Sequence, residues 1–108
     1  MILPPASDTH YPDDKERDVR AYLKKRLRLM GHASLRKCSW FPRSDAPDEL
    51  VLIEAQPGRI ARGFFAELKR PGAVPRPGQL REIEKLRAAG FVVYVIDSRE
   101  AVDAALFW

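Results

Sequence analysis

The sequence predicts an α/β fold in which a mixed β-sheet is flanked by helices. Residues 13–30 and 77–90 carry apolar side chains at helical spacing, and residues 63–70 alternate between two faces as a β-strand does. Residues 91–96 form an apolar run without alternation, which is typical of a central strand covered on both faces. Taken with the segments between them, these patterns predict the order αβββαβα, without internal repeats.

The first helix is predicted to begin with Asp13 or Asp14 as its N-terminal cap and to reach about Met30, with Gly31 ending it. Its outer side is basic. Its buried side is predicted to consist of Val19, Leu23, Leu27 and Met30.

Three strands are predicted to follow, over residues 35–41, 49–54 and 63–70, with a proline-containing break at 42–47 and a turn at 56–59. The alternation of the third strand separates an apolar face from a mixed one. The apolar face carries Phe64, Ala66 and Leu68, and the other face carries Phe65, Glu67 and Lys69.

A loop rich in proline and glycine then leads into the second helix. Pro77 suits the first turn of this helix, which is predicted to end at Gly90. After the apolar strand, Asp97 and Glu100 are spaced as a capping box for a short last helix that reaches about Leu106.

Length and composition indicate one globular domain. The chain has 108 residues, of which 45% are hydrophobic and 31% charged, as is typical of one globular domain. Residues 1–12, which have little periodicity, are predicted as an extended lead-in, and residues 13–108 as the single domain. One cysteine, Cys38, excludes an internal disulfide, and no Cys/His cluster offers a zinc site. Without an apolar run of membrane-spanning length or a signal peptide, the protein is predicted to be cytoplasmic.

The basic residues are concentrated in two stretches of the chain. The net charge is only +4, but the segment from Val19 to Ser44 holds eight Lys and Arg residues and no acid. Such a distribution favours a nucleic-acid backbone as the partner. The alternative is an ordinary solvated helix face, so the choice depends on whether catalytic residues are present.

Three charged residues form a candidate catalytic group. Asp48 precedes the second strand, while Glu67 and Lys69 lie two apart in the third. Because neighbouring strands are about 4.8 Å apart, the two carboxylates can converge on one divalent cation, and the ammonium can orient a water that attacks phosphorus. The alternative is a cross-strand ion pair on an exposed face. The apolar neighbours of the pair argue against it, since burying unpaired charges is costly.

The segments Ala46-Pro47-Asp48, Phe65-Ala66-Glu67-Leu68-Lys69, Gln79 and Leu86-Arg87-Ala88-Ala89-Gly90-Phe91-Val92-Val93 occur in this order along the chain. Together they resemble the VRR-NUC domain, the virus-type replication and repair branch of the PD-(D/E)XK nucleases. The resemblance covers residues 16–105 and implies a restriction-endonuclease-like αβββαβ core with a mixed central sheet flanked by helices.

The resemblance also implies roles at the site. Asp48 and Glu67, with the main-chain carbonyl of Leu68, would hold Mg²⁺ or Mn²⁺, and Lys69 would act on the attacking water.

The resemblance further implies that Gln79 reaches toward the site and that Glu16 is an additional acid near the metal. Each has a purely structural alternative. Gln79 falls where Gln closes a capping box, although residue 76 is Arg rather than a capping residue. Glu16 in a first helical turn interacts well with the helix dipole without any metal.

The chain departs from the family pattern at two places. Asp45 stands where the family usually has Gly before Ala-Pro-Asp, and Arg76-Pro77-Gly78 replaces the usual Ser-Pro ahead of the Gln, which removes a helix cap and adds a candidate phosphate contact.

Trp40 either stacks on a base or packs. The candidates for DNA-backbone contacts are Arg36, Lys37, Arg43 and Arg76, with solvated surface residues as the alternative.

From these observations the protein is interpreted as a metal-dependent deoxyribonuclease. Since small stand-alone members of the family resemble Holliday-junction resolvases, branched or junction DNA is the expected substrate and a homodimer with two sites the expected assembly. The resemblance also suggests a phage or prophage protein acting in the host-cell cytoplasm. The apolar residues 104–108 are expected to enter the dimer contact or to pack back on the sheet. The alternative function is a catalytically silent nucleic-acid-binding module of the same fold.

Overall fold

The computed structural model describes residues 10–40 and 43–107. The predicted order of three helices and four strands is confirmed. The elements are α1 (Glu16–Met30), β1 (Ala33–Lys37), β2 (Glu49–Ile53), β3 (Arg62–Leu68), α2 (Pro77–Ala88), β4 (Val93–Ile96) and α3 (Arg99–Leu106). No helix in the described ranges has the length and apolarity needed to cross a bilayer.

The four strands form one mixed sheet in the order β1-β2-β3-β4. β1 and β2 are antiparallel, as are β2 and β3, whereas β3 and β4 are parallel. The prediction that residues 91–96 form a central strand is wrong, because β4 lies at an edge of the sheet in the described residues and β2 and β3 are interior. The run also begins before the strand. Phe91, 54% exposed, donates its N–H to the Leu86 carbonyl and so closes the end of α2.

The predicted buried stripe of α1 is confirmed, and Gly31 ends the helix in the left-handed conformation with φ 79°. The predicted N-terminal cap is wrong. Lys15 occupies that position and donates its N–H to the Asp18 carboxylate (2.8 Å). Asp14 instead accepts two hydrogen bonds from Arg99, at 2.8 and 3.1 Å, which tie the start of α1 to α3.

The other ends also differ from the sequence prediction. β1 begins at Ala33 and ends at Lys37 rather than covering 35–41, and Phe41 lies outside the described residues. α3 is capped by Ser98, whose hydroxyl accepts from the Ala101 N–H at 3.0 Å, so the predicted box of Asp97 and Glu100 does not form. A serine side chain reaches this amide as readily as an aspartate does.

The hydrophobic core lies on one face of the sheet, under α1 and α3. This face carries the apolar side chains predicted for β3, and Val102, Ala105 and Leu106 of α3 pack into it. The last helix therefore completes the core, while Phe107 is 55% exposed and Trp108 lies outside the described residues. The opposite face carries Glu67 and is covered by α2 beside β4, where Ile83 is buried.

Candidate active site

Two acids from neighbouring strands meet at one end of the sheet. Glu49 of β2 pairs with Ala66 of β3, so one step further along this antiparallel register Asp48 faces Glu67. The Asp48 carboxylate accepts a hydrogen bond from the Leu68 N–H at 2.8 Å. This bond orients Asp48 toward β3 and beside the buried carboxylate of Glu67.

Glu67 is the most unusual group of the site. Its side chain is 0% exposed, and neither carboxylate oxygen has a hydrogen-bond partner among the described residues. Burial and the adjacent Asp48 carboxylate together raise the pKa of Glu67 to about 8, with Lys69 opposing the shift and Glu16 adding to it. A buried acid without partners costs free energy unless a proton or a cation neutralises it.

Lys69 and Gln79 form a bonded pair beside these acids. The Lys69 ammonium donates to Gln79 Oε1 at 2.9 Å, and the same oxygen accepts the Arg76 N–H at 2.8 Å. Gln79 is the third residue of α2 and is 8% exposed. One oxygen of Gln79 therefore accepts from the start of α2 and from the Lys69 ammonium, while its part in catalysis stays a prediction.

Arg20 is a site residue that the sequence interpretation missed. Its guanidinium lies between three carboxylates, at 3.4 Å from Glu16, 3.9 Å from Asp48 and 3.5 Å from Glu49. The available signal was the spacing of four residues from Glu16 on one helix, which favours an ion pair. Glu16 is thus placed at the edge of the site, paired with Arg20.

The donor set suits a hard divalent cation. Asp48 and Glu67 offer carboxylate oxygens and Leu68 a main-chain carbonyl, all of the kind that Mg²⁺ and Mn²⁺ prefer. Within residues 10–40 and 43–107, no cluster of three or more His, Cys, Asp or Glu side chains is arranged to hold a metal. Two acids with solvent ligands are nevertheless typical of Mg²⁺, and the buried carboxylate of Glu67 is the group that such an ion would compensate.

A cleft of about 590 Å³ opens beside Asp48 on the α1 side of the sheet, and we call it the α1 cleft. Its basic lining residues are Arg20, Lys24, Lys37 and Arg43. Lys24, which the sequence interpretation did not single out, projects from α1 four residues after Arg20.

The four predicted DNA-contact residues fall in different places. Lys37 and Arg43 line the α1 cleft, and Arg43 also pairs with Glu82 of α2 at 2.7 Å. Arg36 alternates with Lys37 along β1 and donates to the Leu35 carbonyl, so it lies away from the cleft. Arg76 is exposed at the N-terminus of α2.

Two neighbouring residues of this region are structural in character. Trp40 packs edge-on against Phe65, with ring centroids 5.8 Å apart, so it packs rather than presenting a free stacking face. Cys38 lies half-buried at the cleft, where burial raises the pKa of its thiol and Glu49 and Asp48 add to that shift.

A four-stranded mixed sheet with an acid pair, a lysine and a helix-borne glutamine at one end is the arrangement that the sequence predicts for a nuclease-type domain. A solved structure described as a VRR_NUC domain is similar over 82% of this chain and 90% of its own length, with a TM-score of 0.68 and 38% sequence identity. The chain belongs to the VRR-NUC family.

A second relative comes from the curated proteins. "Putative nuclease p44" of Acyrthosiphon pisum secondary endosymbiont phage 1 is 43% identical over 58 residues. This match spans 54% of the present chain and 57% of the phage protein. No family model matches the sequence.

Proposed function

We propose that the protein is a metal-dependent deoxyribonuclease that hydrolyses phosphodiester bonds. The observation that carries the proposal is the fully buried carboxylate of Glu67, which has no hydrogen-bond partner among the described residues and lies beside Asp48 and Lys69. A structural ion pair would place a basic group within bonding distance of this carboxylate, and none is bonded to it among the described residues. A carboxylate kept dry and unbonded next to a second acid is what a cation site requires before its ion arrives.

The residues divide the chemistry between them. Asp48, Glu67 and the Leu68 carbonyl would hold Mg²⁺ or Mn²⁺, which would supply Lewis acidity and neutralise charge on the scissile phosphate. Lys69 orients the attacking water and stabilises negative charge that develops on the phosphate oxygens. Gln79 fixes the ammonium for that task through its 2.9 Å bond. Glu16 acts at the edge of the metal site through Arg20 rather than as a direct ligand.

The α1 cleft is the proposed path of the cleaved strand. Lys24 and Lys37 line the cleft, and their ammonium groups have no ion pair or hydrogen bond among the described residues. The phosphates of a DNA backbone would supply the negative charge that pairs with these ammonium groups. Arg43 and Arg76 extend the contact toward α2, and Arg36 serves a more distant part of the duplex.

The substrate that this reading favours is branched DNA, cut by a homodimer with one site for each of two strands. Sedimentation of the full chain at assay concentrations tests the dimer. Deletion of residues 107–108 is expected to give folded monomers with impaired junction cleavage, since Phe107 is exposed and apolar at the end of α3. Full-length monomers that cut junctions would contradict the assembly.

The function is tested by cleavage assays on purified protein. Junction, flap and linear duplex DNA are incubated with Mg²⁺, Mn²⁺ or EDTA, and Glu67→Gln serves as the inactive control. Cleavage that needs the metal and is lost in the variant supports the proposal. DNA binding without cleavage under every metal condition would favour the silent nucleic-acid-binding module instead.

A further inference from the structure

The loop that precedes Asp48 contacts the first half of α2 through two side chains, one by a hydrogen bond and one by close packing. Arg43 donates to the Glu82 carboxylate at 2.7 Å, and Glu82 is nearly buried. The Asp45 carboxylate lies against Gly78, where an added Cβ would come within 2.7 Å of Asp45 Oδ2 and 3.1 Å of its Cγ. Since Gly78 and Glu82 are four residues apart, both contacts fall on one face of the helix.

Gly78 is explained by space and not by backbone conformation. It is the second residue of α2, and it is absent from the described glycines that have positive φ. Glycine within a helix is less stable than alanine, so its presence here calls for a reason. The close approach of Asp45 supplies that reason.

Asp45 also supplies what the start of α2 lacks. Arg76 caps the helix with no side-chain hydrogen bond, and the first turn contains no acidic residue. A carboxylate near the N-terminus of a helix interacts favourably with the helix dipole. Asp45 brings this charge from another element, the loop that precedes β2.

The same contact joins the two halves of the candidate active site. Asp48 follows Asp45 by three residues, and Gln79, which holds Lys69, follows Gly78 directly. We propose that Asp45 is a positioning residue: seated in the notch that Gly78 leaves, it fixes the loop carrying Asp48 to the helix carrying Gln79. The inference rests on the proposed nuclease function for its catalytic consequence, while the coupling between the two residues stands without it.

The test is a double-mutant cycle with Gly78→Ala, Asp45→Ala and the double variant, read by thermal unfolding in EDTA. In the wild-type background Gly78→Ala is expected to leave Tm nearly unchanged, because displacing the Asp45 carboxylate offsets the preference of the helix for alanine. In the Asp45→Ala background the same change is expected to raise Tm by a few degrees, because alanine favours the helix once the notch is free. Gly63→Ala is the control, since its Cβ would meet neighbours at an ordinary 3.7 Å or more.

The catalytic consequence is read on the same variants by cleavage kinetics and by Mg²⁺ titration. Asp45→Ala is expected to lower kcat and weaken Mg²⁺ binding about tenfold, with the KM for DNA nearly unchanged. Asp45→Asn, which keeps the shape without the charge, is expected to fall between Asp45→Ala and the wild type.

Two results would overturn the inference. Equal effects of Gly78→Ala in both backgrounds would mean that Asp45 does not occupy the notch. Coupling in Tm with unchanged kcat and Mg²⁺ binding would reduce the contact to a purely structural one. A wild-type protein that cleaves no DNA would refute the proposed function instead, and the thermal cycle would still decide whether Asp45 and Gly78 are coupled.

Discussion

Replacing Glu67 by Gln is expected to stabilise the metal-free protein, and to do so more strongly as the pH rises. The folded state holds this acid with a pKa of about 8, whereas the unfolded chain exposes it with an ordinary pKa of ~4.3. Between these values the folded state binds the extra proton, so the free energy of unfolding falls as the pH rises. Stability from this group is fully present below ~4.3 and is lost as the pH approaches 8. The glutamine side chain of the variant does not titrate in this range, so the variant is spared this loss.

The magnitude follows from the proton linkage. One proton bound more tightly by the folded state changes the free energy of unfolding by about 1.4 kcal/mol per pH unit. Over the two units from pH ~5.5 to ~7.5, the difference between Glu67→Gln and the wild type is expected to grow by roughly 2 to 3 kcal/mol. For a domain of this size that corresponds to a relative shift of about 10 °C in Tm.

The assay is thermal or urea unfolding in EDTA at several pH values. Glu54→Gln is the matched control, because Glu54 is an exposed acid at the end of β2. Its profile should run parallel to that of the wild type. Addition of Mg²⁺ should stabilise the wild type by about 2.7 kcal/mol at one hundred times its Kd and leave Glu67→Gln almost unchanged. Parallel pH profiles for Glu67→Gln and the wild type would refute the assignment of a buried, proton-holding acid.

The remaining predictions concern catalysis and DNA binding. Lys69→Ala is expected to reduce cleavage by about 10² to 10³ while the fold is kept, since its ammonium points to Gln79 and not into the core; full activity in a folded variant would exclude its role. Gln79→Ala is expected to lower kcat and also destabilise α2 by about 1 kcal/mol, because one oxygen serves both tasks, so loss of only one would separate them. Lys24→Ala and Lys37→Ala are each expected to flatten the slope of log affinity against log salt by about 0.9 on duplex DNA, whereas Lys25→Ala, on α1 but outside the α1 cleft, should leave it unchanged.

The sequence was sufficient for the features that depend on periodicity. The stripe of α1 and the alternation of β3 identified the core, because burial of one face is repeated at a fixed spacing. Helix ends were less predictable. Asp14 does not cap α1, because its carboxylate accepts a hydrogen bond from Arg99, which lies 85 residues away in the sequence. The edge position of β4 could not be predicted from its sequence either. An apolar run has the same pattern whether strands lie on both sides of it or helices cover its faces.

The site shows the same division between local and distant signals. Glu67 and Lys69 could be proposed from their spacing, but the raised pKa of Glu67 depends on its burial and on Asp48, which only folding brings beside it. Arg20 is one turn of α1 from Glu16, yet its contacts to Asp48 and Glu49 arise only when α1 packs over the sheet. Spacing along the chain therefore predicted which chemical groups form the candidate site, and the packing of the elements determined their burial and their ionic contacts.

The basic side chains around the acids of the candidate site leave one carboxylate without a bonded partner in the described chain. Arg20 lies against Glu16, Asp48 and Glu49 and offsets charge on the α1 side. On the other side the Lys69 ammonium is bonded to an amide oxygen of Gln79, at 2.9 Å, and neither oxygen of Glu67 is bonded within the described chain. In this arrangement Arg20 contacts the acids on the α1 side and the Lys69 ammonium contacts Gln79, and neither is bonded to Glu67. In the proposed site, a divalent cation held by Asp48 and Glu67 would compensate the Glu67 carboxylate, which these basic groups leave unbonded within the described chain.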